Sequence, residues 1–142
     1  MTTVSSAIQR KQHKLISVQA DTTVLEALNL MAEKNIGSVV VMNGEDYAGV
    51  MTERDYSRKV ILKGKDSTST RVSEIMSTDL PAAKLQDSID RCMQVMYNEN
   101  IRYMPVFDNN SIIGIISISD VVKETILAQK ETIDQLQSYI SS

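Results

Sequence analysis

The chain repeats itself once at a constant offset, and this duplication limits the folds that are open to it. Residues 49–55 read GVMTERD and residues 114–120 read GIISISD. Gly49 therefore corresponds to Gly114 and Asp55 to Asp120, and the members of both pairs are equally far apart in the chain. The same offset aligns residues 17–62 with residues 82–127 without a gap. Two copies at so long a period predict a pseudo-twofold pair of units rather than a solenoid.

Each copy predicts the same order of elements, β-α-β-β-α. A short extended segment, 15–19 or 81–85, is followed by a helix whose apolar residues recur at helical spacing. Thr23 and Glu26 have the spacing of a capping box at the start of the first helix. Two strands around a polar turn come next, at 37–42 and 47–51 and again at 103–107 and 112–116. A second helix begins inside each motif, and Gly64 is a suitable stop for the first of them.

These elements divide the chain into five segments. We predict an N-terminal segment (1–14), a first domain (15–63), a connection (64–76), a second domain (77–127) and a helical extension (128–142). The connection is rich in Ser and Thr, which favours a surface position. The extension carries an apolar stripe of Ile126, Ile133, Leu136 and Ile140, so we expect it to pack on the domains or on a second subunit.

Composition excludes several classes of protein. A net charge of −3 argues against a nucleic-acid binder. The only cysteine is Cys92 and the only histidine is His13, so no internal disulfide is possible and no cluster of histidines exists for a metal or a triad. We expect Cys92 to be buried and His13 to be exposed. Thr52 has no adjacent base and there is no P-loop, so we predict that the chain is not an enzyme.

No apolar run approaches the roughly 20 residues that a membrane-spanning helix needs. The N-terminus lacks the apolar core of a signal peptide, although it is basic at Arg10, Lys11 and Lys14. We therefore predict a cytoplasmic protein without membrane contact, with an organelle as the alternative.

The repeated motif has two interpretations. Thr52 with Asp55, and Ser117 with Asp120, fit the spacing of a capping box, which most often serves the helix alone. The functional interpretation builds on the same geometry. A helix start offers free N–H groups to a phosphate, and a nearby Asp can accept both hydroxyls of a ribose. A glycine near the strand end would let a bulky ligand approach the backbone.

The two motifs, in register within matching units, resemble a tandem pair of cystathionine-β-synthase (CBS) domains, the arrangement called a Bateman module. The resemblance covers about residues 14–127 and includes the strands NIGSVVVM and NIRYMPVF upstream of the motifs and the segment IMSTDLPAAKLQDSI before the second copy. It implies an α+β fold in which the two β-α-β-β-α repeats pack sheet to sheet about a pseudo-twofold axis.

The resemblance also implies two clefts between the repeats that hold AMP, ADP, ATP, NAD or S-adenosylmethionine. Asp55 and Asp120 would accept hydrogen bonds from ribose hydroxyls. The side-chain hydroxyls of Thr52 and Ser117 would contact phosphate or ribose. Ala82 lacks the hydroxyl of its counterpart Ser17, which weakens that contact in the second copy. No metal is implied. The implied ligand-binding residues are Ser17, Gly37, Ser38, Thr52, Arg54, Asp55, Arg58, Ile101, Arg102, Tyr103, Pro105, Ser117 and Asp120.

The copies differ in their basic residues. Arg54 in the motif and Arg58 on the following helix correspond to Ser119 and Lys123, and Arg102 stands where the first copy has Gly37. A phosphate in the first cleft could meet these arginines, whose planar forks suit phosphate oxygens. Arg54 and Arg58 could equally be solvated or pair with Glu53. Tyr103 could stack on a base or fill the sheet.

We accordingly expect a regulatory module that senses energy or redox state through an adenosine nucleotide and signals to an effector protein. The alternative is a ligand-free module for dimerisation or protein interaction. The resemblance further implies a homodimer formed through the CBS modules. The sequence does not distinguish which nucleotide binds or which cleft it occupies.

Overall fold

The computed structural model describes residues 2–11 and 15–141, so the expectation for His13 lies outside the described residues. The first repeat follows a helix α1 and contains β1, α2, β2, β3 and α3, which continues as one π-helical segment. The second follows a short helix α4 and contains β4, α5, β5, β6 and α6. The bounds are α1 Val4–Arg10, β1 Ser17–Gln19, α2 Val24–Lys34, β2 Ser38–Asn43, β3 Asp46–Thr52, α3 Glu53–Tyr56, the π-helical segment Ser57–Ile61, α4 Val72–Ile75, β4 Ala83–Lys84, α5 Ile89–Glu99, β5 Tyr103–Asp108, β6 Ser111–Ser117 and α6 Ile118–Ser141.

Each repeat forms a three-stranded sheet, and the two sheets have the same topology. β1 runs parallel to β2, which is antiparallel to β3, and β4, β5 and β6 repeat this arrangement. The registers correspond as well, with a shift after Val41 in one sheet and after Val106 in the other. The predicted α+β fold of two tandem repeats is confirmed.

Local signals in the sequence explain where the long helices begin and end. Thr23 accepts the N–H of Glu26 at 3.2 Å, and Ser88 accepts the N–H of Arg91 at 3.0 Å. α2 and α5 both end at an asparagine in the left-handed conformation, Asn35 and Asn100. The predicted capping box at Thr23 is only half formed, because among the described contacts the Glu26 carboxylate makes no return bond.

The strands face two cores at once. Val39, Val41 and Met51 point into the core of the first repeat, while Val40 and Val50 meet Ile115 in a separate cluster between the two sheets. This alternation is the period of two that a strand imposes on its side chains. It packs the repeats sheet to sheet, as predicted. The buried positions that helical spacing predicted, including Met31, Cys92 and Met96, lie in the cores of their own repeats.

Each helix that precedes a repeat in the chain packs on the other repeat. α1 stands before the first repeat but packs in the core of the second, and its Val4 N–H bonds the Asp87 carbonyl at 2.9 Å. α4 stands before the second repeat but packs on the first, with Val72 N–H on the Thr22 carbonyl at 2.8 Å. The expectation that the connection lies on the surface is wrong for Val72 and Ile75, which are fully buried. A four-residue helix is too short to show a helical period.

α6 continues without a break to Ser141, and its apolar stripe is exposed. Ile126, Ile133, Leu136 and Ile140 are 54–80% exposed, so the stripe does not pack on its own domains. The alternative expectation, a second subunit, stays a prediction. Among the described residues, no helix has both the length and the apolar character needed to cross a membrane.

Candidate functional site

Two clefts lie where the repeats meet, and each receives the start of one motif helix. Cleft 1 has a volume of about 600 Å³ and is lined by the first motif, by the segment between the repeats and by the start of β5. Cleft 2 has a volume of about 300 Å³ and is lined by the second motif, by residues 35–38 and by Lys11. The lining residues of cleft 1 are Thr52, Glu53, Arg54, Asp55, Ser57, Arg58, Ser77, Asp79, Leu80, Ile101, Arg102 and Tyr103.

The first motif forms a complete capping box. The Asp55 N–H donates to Thr52 Oγ1 at 3.0 Å, and the Thr52 N–H donates to Asp55 Oδ2 at 3.0 Å. The Thr52 hydroxyl also donates to the same carboxylate oxygen at 3.0 Å. The structural role that spacing predicts for the motif is therefore present.

The remaining oxygen of Asp55 is engaged as well. Its Oδ1 accepts the Ser77 hydroxyl at 2.9 Å and lies 2.9 Å from the Lys59 ammonium. Asp55 is only 5% exposed, and both carboxylate oxygens have partners. A ribose hydroxyl could bind this carboxylate only by replacing or sharing one of those partners.

The absence of a side chain at Gly49 lets the backbone at Ser77 lie against β3. Val50 and Ser77 exchange two backbone hydrogen bonds, of 2.9 and 2.8 Å, which add Ser77 to the edge of β3. A Cβ atom on Gly49 would lie 2.6 Å from the Ser77 carbonyl oxygen. The sequence predicts that this glycine admits a bulky ligand. The structure shows that it admits the start of the segment between α4 and β4 and so brings the Ser77 hydroxyl to Asp55.

The second motif is capped in the same way but has a different cation. Asp120 N–H donates to Ser117 Oγ at 3.1 Å, and Ser117 N–H donates to Asp120 Oδ2 at 2.8 Å. The ammonium of Lys11 lies 2.9 Å from the same Oδ2 and donates to the Ile115 carbonyl at 2.7 Å. The Asp120 side chain is 21% exposed, so this carboxylate is more accessible than that of Asp55.

At one position on the helix that follows the motif, the two repeats carry side chains of opposite charge. Lys59 corresponds to Glu124 at the offset that relates the two copies, and Glu124 is 3% exposed. Arg10 Nε lies 2.7 Å from Glu124 Oε1, at a geometry that makes an ion pair but no hydrogen bond. The end of α1 thus supplies two cations to the second repeat: Arg10 pairs with Glu124, and Lys11 pairs with Asp120, which has no lysine at the position equivalent to Lys59.

Three arginines line cleft 1. Arg54 and Arg58 come from the first repeat and Arg102 from the second. Arg54 Nη1 donates to the Asn100 carbonyl at 3.0 Å and thereby reaches across to the second repeat. Within the described parts of the chain, none of the three forms an ion pair, so the expected pairing with Glu53 is not made.

Tyr103 lies between the two clefts and fills space between the sheets. Its ring packs on the inter-sheet cluster, and its hydroxyl lies where a Cβ atom on Gly37 would be. Burial, and then the charge of Glu53, raise the pKa of the Tyr103 phenol above its ordinary value. This position favours the space-filling interpretation over stacking on a base.

Two predicted site residues lie on neither cleft. Ser17 is exposed on β1, where it pairs with Val40, and the preceding Ile16 lines cleft 2 instead. Pro105 is buried within β5. The other predicted residues line a cleft: Thr52, Arg54, Asp55, Arg58, Ile101 and Arg102 line cleft 1, Gly37, Ser38, Ser117 and Asp120 line cleft 2, and Tyr103 lines both.

The lining residues that the prediction missed include Lys11, Ser77, Asp79 and Leu80. They belong to the segments that precede the repeats, and only the exchange of those segments brings them to the clefts. Among residues 2–11 and 15–141, no group of three or more His, Cys, Asp or Glu side chains is placed to hold a metal ion.

Comparison with known proteins finds the same duplication. The CBS domain model matches residues 5–61 and 72–126. The chain is 38% identical, over 125 residues, to the mitochondrial CBS domain-containing protein CBSX3 of Arabidopsis thaliana, and this match covers 84% of the chain and 61% of that protein. It is 30% identical to the CBS domain-containing protein YhcV of Bacillus subtilis, over 83% of the chain and 84% of that protein. Some other relatives carry the names of enzymes.

A solved structure supports the architecture. A protein with CBS domains from Burkholderia ambifaria MC40-6 superposes with a TM-score of 0.85 and is 41% identical in sequence. The superposition covers 90% of this chain and 96% of that one. The likeness therefore includes both repeats and the interface between them, where the clefts lie.

Proposed function

Because this chain belongs to the CBS domain family, we propose that it is a regulatory module that binds an adenosine-containing nucleotide between its repeats. The observation that carries the proposal is the convergence of Arg54, Arg58 and Arg102 on cleft 1 without acidic partners among the described residues. Guanidinium groups bind phosphate oxygens in pairs, and unpaired ones need not first break an ion pair. A volume of about 600 Å³ is within the range of small-ligand sites.

The phosphates occupy the arginine side of cleft 1 in this proposal, and a ribose hydroxyl approaches Asp55. Since Asp55 Oδ1 is held by Ser77 and Lys59, the ribose takes the place of one of these donors. Displacement of Ser77 loosens the connection between the repeats, and displacement of Lys59 loosens the helix that follows the motif. Either change gives the bound and free forms different conformations, which is what regulation by a ligand requires.

A thermal-shift panel with AMP, ADP, ATP, NAD and S-adenosylmethionine tests the proposal. A ligand at a hundred times its Kd stabilises the folded state by about 2.7 kcal/mol, which raises Tm by roughly 5–11 °C for a chain of this size. Titration calorimetry on the best ligand then compares wild type with Arg102→Ala. We expect at least tenfold weaker binding for the variant.

Arg91→Ala is the matched control, because Arg91 is an exposed arginine of the same repeat that lines neither cleft. It should bind as wild type does. No stabilisation by any nucleotide at millimolar concentration would refute the proposal. Equal loss of affinity in Arg102→Ala and Arg91→Ala would place the ligand outside cleft 1.

A second candidate is a ligand-free module that dimerises or holds a protein partner, and the exposed stripe on α6 favours it. The effector that reads the nucleotide-bound state is itself a protein partner in the first proposal. The enzyme names of some relatives are compatible with a regulatory part within a larger protein. The mitochondrial name of the Arabidopsis relative supports the organelle alternative for location, which cell fractionation decides.

A further inference from the structure

The helices that precede the two repeats end at equivalent positions, but different side chains follow them. Lys11 follows α1 and Met76 follows α4, and the two residues correspond at the offset that relates the copies. Met76 packs against the core of the first repeat. Lys11 lines cleft 2, where its ammonium donates to Asp120 Oδ2 at 2.9 Å and to the Ile115 carbonyl at 2.7 Å. Cleft 2 therefore receives an ammonium group that the equivalent position does not supply to cleft 1.

Lys11 is held in place by a helix that is anchored at both ends. Val4 is fully buried, and its N–H donates to the Asp87 carbonyl at 2.9 Å. At the other end of α1, Arg10 lies 2.7 Å from the carboxylate of Glu124. A ligand in cleft 2 must therefore compete with an ammonium that the fold keeps at the motif carboxylate. Tethered groups of this kind have effective concentrations in the millimolar range or above, and a free ligand at lower concentration does not displace them.

The corresponding donor in cleft 1 is an uncharged hydroxyl. Asp55 Oδ1 has two partners, Ser77 and Lys59, and of these only Ser77 belongs to the described lining of the cleft. A ribose hydroxyl can replace the Ser77 hydroxyl with a hydrogen bond of the same kind. At Asp120 it would have to replace an ammonium, whose bond to the carboxylate is charge-assisted and stronger. The greater exposure of Asp120 does not alter this difference, because Lys11 itself lines the cleft.

The described lining of cleft 2 also has no cation to spare for a phosphate. Among the described residues that line it, Lys11 and Asp120 carry the only charges, and they pair with each other. Cleft 1 has three arginines instead. Cleft 2 is also half as large, about 300 Å³ against 600 Å³, and the Tyr103 hydroxyl lies against Gly37 on its wall. Charge and space therefore both favour cleft 1 for a nucleotide.

From these contacts we infer that Lys11 closes cleft 2, so that the chain binds its nucleotide in cleft 1 alone. The ammonium takes the position on Asp120 that a ribose hydroxyl would otherwise take. This role of Lys11 rests on the proposed function, nucleotide binding in cleft 1, and determines which cleft the nucleotide uses. Without the ammonium, cleft 2 admits a ligand that has a ribose but no phosphate, such as adenosine.

The number of AMP molecules bound per chain, measured by equilibrium dialysis at millimolar AMP, is the first test. We expect one AMP per wild-type chain, and at least tenfold weaker binding in Arg102→Ala. Two AMP molecules per chain would overturn the role of Lys11 and leave the proposed function standing. A wild type that binds no AMP would count against the proposed function instead, and the following adenosine measurement still decides the role of Lys11.

Titration of lysine variants with adenosine is the second test. Lys11→Ala should bind one more adenosine per chain than the wild type does, because the ammonium and its stem leave cleft 2. Lys11→Ser clears the same space and should do the same if alanine impairs folding, which circular dichroism detects. Lys84→Ala is the matched control, because Lys84 is an exposed lysine of the second repeat that lines neither cleft. It should bind as the wild type does.

Two further variants locate the gained site. Lys11→Arg retains a cation and should bind no additional adenosine. Adding Asp120→Ala to Lys11→Ala should abolish the additional binding, because the ribose hydroxyls lose their acceptor. No additional adenosine in Lys11→Ala and Lys11→Ser, an equal gain in Lys84→Ala, a gain that persists without Asp120, or loss of AMP binding in Lys11→Ala would each overturn the inference.

Discussion

Replacing the motif aspartates with alanine should destabilise the two repeats unequally. Asp55→Ala removes the carboxylate that accepts the Thr52 N–H and hydroxyl, the return half of the capping box, worth about 1 kcal/mol. It also removes the hydrogen bond from Ser77 to a buried carboxylate, worth about 1.5–3 kcal/mol. The Lys59 pair adds at most about 1 kcal/mol, because Lys59 is half exposed and screened by water. Together these contributions predict a loss of about 2.5–5 kcal/mol.

Asp120→Ala should cost less. It removes the corresponding bond from the Ser117 N–H, about 1 kcal/mol, and the contact with Lys11, about another 1 kcal/mol, at a more exposed carboxylate. The described contacts include no counterpart of the Ser77 bond at Asp120. The cap and the ion pair together predict a loss of about 2 kcal/mol. The variant at Asp55 should therefore be the less stable of the two by about 1.5–3 kcal/mol, the contribution of the Ser77 bond.

Urea unfolding measures this difference. The chain has no tryptophan but five tyrosines, so tyrosine fluorescence and far-UV circular dichroism are suitable probes. Asp90→Ala is the matched control, because Asp90 is an exposed acid in the first turn of α5. Its effect should stay within about 0.5 kcal/mol. An Asp55→Ala variant that loses no more stability than Asp120→Ala would refute the assigned role of Ser77.

The result matters for testing function. Asp55 is both a structural residue and the proposed ribose contact, so lost nucleotide binding in Asp55→Ala can follow from altered structure. The arginine variants of cleft 1 separate the two effects, because those side chains are exposed and hold no ion pair among the described residues.

Three further predictions concern other contacts. Arg10→Met should destabilise the chain by about 1–3 kcal/mol in urea unfolding, because it leaves the buried carboxylate of Glu124 without its cation, and adding Glu124→Leu should recover most of the loss. Gly49→Ala should cost more than about 1 kcal/mol in thermal unfolding, since the new Cβ meets the Ser77 carbonyl, and an unchanged Tm would contradict this. The raised pKa of the Tyr103 phenol contributes stability that is fully present below about pH 10 and is lost as the pH rises further, because the unfolded phenol loses its proton first. Burial also raises the pKa of Tyr47 and of Cys92, so Tyr103→Phe should lessen the alkaline decline in a pH series of unfolding midpoints without abolishing it.

Much of the fold follows from local patterns. The constant offset between the copies, the strand alternation and the helix caps predict two equal repeats, and the structure confirms them. Thr52 with Asp55 and Ser117 with Asp120 form the capping boxes that their spacing predicts. Each cap depends on residues within one helical turn, and each strand pattern depends on alternation within one strand. Both can therefore be predicted from the sequence without knowledge of the tertiary structure.

The partners of the two motif carboxylates, in contrast, do not follow from local sequence patterns. Equivalent aspartates acquire different cations, Lys59 for one and Lys11 for the other, and only Asp55 is bound by a residue of the segment between α4 and β4, Ser77. The partners Lys11 and Asp120 stand at nearly opposite ends of the chain. No local spacing encodes such a pair, because it exists only once α1 and α4 have crossed to the opposite repeats. The sequence by itself determined where each motif helix starts, whereas the tertiary structure decided which charges surround it, since Coulomb interactions depend on distance in space and not along the chain.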